Sequence, residues 1–162
     1  MKIARLALVS LALSGAVGTA HAQGRFDRYG YHPPKEVKVD VRQKGQGNGA
    51  AVSQNGPANA AGVSQDGAIN AGRITQTGAS NDATIRQLGK GNDASITQTG
   101  FNNVACIVQV GKNLSTDITQ TGDGQSRGLV QTKKGTFEIP AQLCSIDPGG
   151  KGYWQRVGFK GY

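Results

Sequence analysis

The side chains that recur at a fixed spacing in this chain are primary amides. Glutamine stands at Gln43, Gln54, Gln65, Gln76, Gln87, Gln98, Gln109, Gln120 and Gln131, with an unbroken 11-residue step. Asparagine follows five places later at Asn48, Asn59, Asn70, Asn81, Asn92 and Asn103. A carboxamide carries two N–H donors and a carbonyl acceptor. Buried alone it is costly. Stacked in a file of identical amides, each group bonds the one above and the one below, as in amyloid ladders. The chemistry this spacing supports is cohesion, and these fifteen residues are the candidate structural ladder.

Nothing comparable points to catalysis. The sequence shows no Ser/His/Asp set, no paired carboxylates in a cleft, no phosphate loop and no Cys-x-x-Cys. The run Gly45-x-Gly47-x-Gly49 follows the repeat, so it marks turns and not a nucleotide site. His32 is the only histidine beyond Ala22 and has no clustered ligands, which argues against a metal. The expectation is a protein that is not an enzyme, with no cofactor.

Other residues keep the same beat and show which elements must hold the amides. Two places after Gln comes Gly, from Gly45 to Gly122; seven places after is usually Ala; nine places after is always aliphatic, from Val52 to Leu129. An 11-residue period suits a right-handed helical coil or a strand-turn unit of a solenoid. Repeated Gly, Asn and β-branched residues weigh against helix. Ala, Ile/Val and Gln at i, i+2 and i+4 share one face of a strand. Nine strands are expected: Val39–Gln43, Ala50–Gln54, Ala61–Gln65, Gly72–Gln76, Ala83–Gln87, Ala94–Gln98, Ala105–Gln109, Thr116–Gln120 and Arg127–Gln131. The six residues between them are turns.

A finer beat sets the stacking. Ile74-Thr75-Gln76-Thr77-Gly78 returns at Ile96 and again at Ile118, two repeat steps apart each time. One rung is therefore strand-turn-strand-turn, with alternate strands in the same sheet. The expected fold is an all-β solenoid of 11-residue strand-turn half-repeats, with a 22-residue rung and two stacked parallel sheets. Its height is about 20 Å at ~4.8 Å per rung. The first and last rungs would leave open edges, which are templates for another copy.

The unit resembles the curlin repeat, Ser-x5-Gln-x-Gly-x-x-Asn-x-Ala-x3-Gln. Gln54-x-Gly56-x-x-Asn59-x-Ala61-x3-Gln65 carries the likeness, as do the stretches Gln76 to Gln87 and Gln98 to Gln109. It spans Gln43 to Gln131. Departures gather at the end, where Asn113 stands one place early, Gln125 replaces Asn, and Thr116 and Arg127 replace Ala. The resemblance implies a subunit of curli-type extracellular amyloid fibres (a pilus or fimbrium) that serve cell adhesion and biofilm matrix. It implies partners as well: further copies of itself, a sister curlin subunit, an outer-membrane export pore and periplasmic accessory proteins. It leaves open whether the chain is the bulk subunit or a minor nucleator at the outer surface.

The flanks differ in kind. Residues 1–22 form an expected signal peptide: Lys2 and Arg5, a mostly apolar run to Val17, then Ala20-His21-Ala22 as cleavage site. The run is too short for a membrane span, and no other candidate occurs. Localisation is thus expected through the periplasm to the cell surface. Residues 23–38 form a Pro-containing leader, either an export-targeting segment or a linker; 39–132 are the solenoid; 133–162 are a basic, aromatic tail. The net charge of +8 lies mainly in the flanks, since Gln43–Thr132 holds six basic and five acidic residues. Nucleic-acid binders concentrate charge on the fold itself, so no nucleic-acid partner is expected. The ending from Gly149 to Tyr162 suits either a surface anchor or a lid over the last rung.

Outward positions offer a rival. One sheet presents Ser53/Asn55, Thr75/Thr77, Thr97/Thr99 and Thr119/Thr121. A flat Thr-x-Thr array resembles ice-binding solenoids, although threonine is also simply a good outward strand residue. The other sheet ends in Val108, Val110 and Val130, which form either a lateral fibre contact or a patch under the tail. Cys106 lies between inward residues and should point outward. In an oxidising compartment the expectation is a bridge to Cys144, folding the tail back onto that sheet; the alternative is two unpaired thiols.

Overall fold

Corners decide where each strand can start. Gly67 and Gly89 adopt φ of +127° and +128°, a region closed to residues with a Cβ. Each also sits against the carbonyl of the equivalent glycine one rung on. Between such tight corners the chain runs extended, and alternation does the rest. In the computed structural model, which describes residues 18–21 and 36–144, the strands form a two-sheet solenoid.

The first strand, β1 (Gly18–His21), precedes the solenoid. The solenoid strands are β2 (Lys38–Lys44), β3 (Gly49–Asn55), β4 (Ala60–Ala68), β5 (Ala71–Ala79), β6 (Asp82–Lys90), β7 (Asp93–Phe101), β8 (Val104–Lys112), β9 (Ser115–Thr121) and β10 (Ser126–Thr132). After them come β11 (Gly135–Ile139) and a short 3-10 helix, Ala141–Cys144. Each expected strand is present, lengthened by a few residues. One sheet has the order β1-β2-β4-β6-β8-β10-β11 and the other β3-β5-β7-β9. We call them sheets A and B. Pairing between solenoid strands is parallel, and each residue faces its equivalent one rung on, as in Gln65 against Gln87 and Ile74 against Ile96.

The core is thin and continuous. Ala83, Ala94, Ile74, Ile85 and Ile96 are fully buried between the sheets. Each large aliphatic contributes about 1.5–3 kcal/mol. With so few per rung, the apolar core alone is modest, and the buried amides must be bonded rather than merely tolerated.

The edges depart from expectation. Open edges are expected at both ends of both sheets. Instead β1 pairs antiparallel with β2, and β11 pairs antiparallel with β10, so the outer edges of β2 and β10 are covered. Among the described residues the edge strands of sheet A are thus β1 and β11, and solenoid strands lie at the edge only in sheet B, as β3 and β9. Of the expected signal peptide, Gly18–His21 form β1. Its basic and apolar portions, most of the leader and the tail beyond Cys144 lie outside the described residues. Among the described residues no helix is long and apolar enough to cross a membrane.

Candidate assembly site: the amide files and their ends

Alternation within each strand turns every repeat glutamine inward, and register stacks them. In sheet A, Gln43 Nε2 donates to Gln65 Oε1 at 2.7 Å, Gln65 to Gln87 at 2.7 Å, Gln87 to Gln109 at 2.9 Å and Gln109 to Gln131 at 2.9 Å. In sheet B, Gln54 donates to Gln76, Gln76 to Gln98 and Gln98 to Gln120, at 2.7–2.8 Å. The second N–H of Gln65 goes to Gly49 O at 2.9 Å and that of Gln131 to Ser115 O at 3.0 Å, across to the neighbouring strand. Gln87, Gln98 and Gln109 are completely buried and completely bonded.

Asparagine builds a second pair of files at the corners. Asn48 Oδ1 accepts from the Asn70 backbone N–H at 3.0 Å, and Asn59 Oδ1 from Asn81 at 3.0 Å. The pattern repeats from Asn92 to Asn70 Oδ1 and from Asn103 to Asn81 Oδ1. Each Nδ2 reaches the carbonyl of a corner glycine on the next rung, such as Asn81 to Gly100 O at 2.9 Å. The corner glycine and the asparagine are thus one device, because the glycine exposes the carbonyl that the amide binds. Leu114 and Gln125 donate the same backbone bond but stop the asparagine files there.

The glutamine files have direction. All donate toward the C-terminal end. Their first members therefore keep an unused acceptor: Gln43 Oε1 and Gln54 Oε1 are buried and have no hydrogen-bond partner. A buried unsatisfied acceptor costs about 1–3 kcal/mol. The opposite ends, Gln120 and Gln131, use Nε2 toward Val104 O and Ser115 O and donate to no further glutamine. One end of the molecule lacks donors, and the other has them to give.

A family model for the curlin associated repeat matches residues 56–89, 67–100 and 89–122. Residues 56–122 of the chain carry curlin associated repeats. The matches run through Leu114, where one asparagine file ends, and stop short of Gln125, where the other does. No curated protein and no solved structure matches the chain.

The curlin repeats stop, but the beat does not. Gln142 stands one further repeat step after Gln131, a signal that the count ending at Gln131 misses. Its Nε2 lies 3.4 Å from Ser126 Oγ, the same sequence offset that the file glutamines use toward backbone carbonyls. Two residues before it, where the repeat has an aliphatic, stands Pro140, and where it has Ala stands Glu138. Proline has no N–H to give a neighbouring strand and a carboxylate has no place in the core. The segment therefore leaves the solenoid and becomes β11 and the 3-10 helix.

That segment covers the outer face of sheet A. Cys106 (1% exposed), Val108 and Val130 form a cluster outside the solenoid core, with Ile139 packed against it. Cys106 points outward, is disulfide-bonded, and the chain has one other cysteine, Cys144. Of the valine patch, Val108 and Val130 are buried beneath the returning chain and Val110 stays exposed. Gly128 makes room for this, since a Cβ there would lie 2.9 Å from Ile139 Cγ1 and 3.1 Å from Cys106 Sγ.

Charge is sparse in the stack. Burial pushes the Asp82 carboxyl above its ordinary value. The protonated form is favoured in the fold, so this contribution is full below the ordinary pKa and is lost as pH rises through the folded one. Asp82→Asn should therefore raise Tm slightly at pH 7 and leave it unchanged near pH 2–3. The gain is small because Asp82 remains an exposed residue at the start of β6. Thermal melts at the two pH values check this, and equal shifts at both would count against the assignment. Among the described residues no group of His, Cys, Asp and Glu could hold a metal ion.

Proposed function

We propose that this protein is a secreted structural subunit of curli-type extracellular amyloid fibres, polymerising end to end, with adhesion and biofilm matrix as the use of the fibre. The observation that carries this reading is the pair of buried, partnerless acceptors at Gln43 and Gln54, facing away from a stack whose other end holds amide donors. A second copy in the same register supplies what is missing, and each file continues at the spacing it already has. The signal peptide expected over residues 1–22 supports export, and its removal takes β1 off the edge of β2. Export-pore and accessory partners follow from the curlin likeness.

Closure of sheet A at β10 by β11 favours a second reading, a minor nucleating subunit that presents only one competent end. Purified chain from Gln23 onward should form fibres that bind Congo red and give a cross-β diffraction pattern with a reflection near ~4.8 Å. Chain that stays monomeric at high concentration under oxidising and reducing conditions alike would sink both readings. A nucleator differs from a bulk subunit in seeding a sister curlin at low molar ratio. The ice-binding alternative predicts the opposite behaviour: a monomer with thermal hysteresis, acting through Thr75, Thr77, Thr97 and Thr99.

A further inference from the structure

Assembly through the amide files admits one geometry. Contact between two N-terminal ends would set the orphan acceptors Gln43 Oε1 and Gln54 Oε1 of one copy against the same acceptors of the other. Acceptors cannot bond acceptors, so the junction must be C-terminal face to N-terminal face. Sheet A holds five solenoid strands and sheet B four, so a copy that continues both files stacks its β2 on β9 and its β3 on β10, as β10 stacks on β8. Gln131 Nε2 would then donate to the next copy's Gln54 Oε1, as Gln109 donates to Gln131.

That place is taken. Thr136 of β11 lies opposite Gln131, and Phe137 opposite Val130. The covering strand is held at its C-terminal end. Arg127 donates to Glu138 Oε1 at 3.2 and 2.9 Å, an exposed pair that contributes little by itself. Beyond Ile139 the chain turns onto the outside of β8 and β10, where Cys106, buried and disulfide-bonded, ties it down. A strand paired on one edge frays easily; one closed into a covalent loop does not.

We propose that β11, pinned by the Cys106 disulfide, is a latch over the docking surface for a second copy of this chain, and that reduction releases it. This rests on the fibre reading given above. In the opening step a dithiol reductant gives two electrons and two protons to the disulfide. It leaves as its own cyclic disulfide, while the protein gains two thiols. Freed from its tether, β11 can be displaced by the parallel β3 of the next copy, which offers a longer pairing and completes a file.

The test is fibre elongation on preformed seeds, followed by thioflavin fluorescence, using the chain from Gln23 to Tyr162. It compares oxidised protein, protein with dithiothreitol, and the double variant Cys106→Ser/Cys144→Ser. The reduced protein and the variant should elongate at least tenfold faster than the oxidised protein, and dithiothreitol should not change the variant further. Amide hydrogen exchange keeps the test sharp if the variant folds poorly. In the soluble oxidised monomer, β11 amides should be protected, and reduction should release them while β6 and β8 stay protected. Equal elongation of oxidised and reduced protein, with fibres formed by both, overturns the latch and leaves the fibre reading standing. Absence of fibres in every arm overturns the fibre reading, and the latch falls with it.

Discussion

Gln87→Ala should unfold this solenoid at a far lower temperature than the parent, with a loss of about 4 kcal/mol or more. Gln87 is fully buried: the two N–H groups of its Nε2 are spread over Ala71 O at 2.7 Å, Gln109 Oε1 at 2.9 Å and Asn92 O at 3.0 Å, and its Oε1 accepts from Gln65 at 2.7 Å. Truncation leaves a buried acceptor on Gln109, removes a partner of Gln65 and opens a cavity in a core too thin to close over it. Denaturant melts followed by far-UV circular dichroism measure the loss. Gln87→Glu separates hydrogen bonding from volume. A protonated carboxyl accepts from Gln65 and donates to Gln109, whereas a carboxylate can only accept and meets the Gln109 oxygen. Burial and this bonding raise the folded pKa above the ordinary ~4.3 of glutamate. The variant's stability is therefore greatest below that value and is lost as pH rises through the folded pKa. A Gln87→Glu protein equally stable at pH 3 and pH 7 would refute the file as a source of stability.

Gly89→Ala should be as damaging for a different reason. Gly89 has φ +128°, and a Cβ there would lie 1.8 Å from the Gly111 carbonyl oxygen. Backbone strain of about 1–3 kcal/mol adds to the cost of displacing a neighbouring rung, again about 1–3 kcal/mol. Asn92 would also lose its bond to Gly111 O, now 3.1 Å. Together these lower Tm by on the order of 15 °C. Gly49→Ala is the control. Gly49 has open space around it and no positive φ, so the change should be neutral or stabilise by about 0.4–1 kcal/mol. Similar losses in the two variants would show that the corner contact has been misjudged.

Much of this fold was legible in the residues, because a strict period is a statement about three dimensions. If each 11-residue unit turns through half a rung, equivalent residues must stack two units apart, and register follows without any further information. Gln65 against Gln87 and Asn59 against Asn81 are consequences of that count. The period also shows why glycine recurs: stacked corners bring backbone against backbone. Legibility falls where the period decays. Gln142 keeps the beat while Glu138 and Pro140 lose the inward chemistry, and no count of amides shows which tendency wins.

What the sequence by itself determined is the body of the molecule: two parallel sheets, inward amide files and a near-neutral stack. Local alternation and a constant repeat leave the chain one way to bury these side chains. What only the tertiary structure decided is how the stack ends. Strand β11 runs back against β10, β1 lies against β2, and Cys106 with Val108 and Val130 disappears under the returning chain. The ends are nonperiodic, and their placement is set by contacts between segments distant in sequence. The direction of the amide files belongs with them, since only the bonded structure reveals that the unpaired acceptors are Gln43 and Gln54.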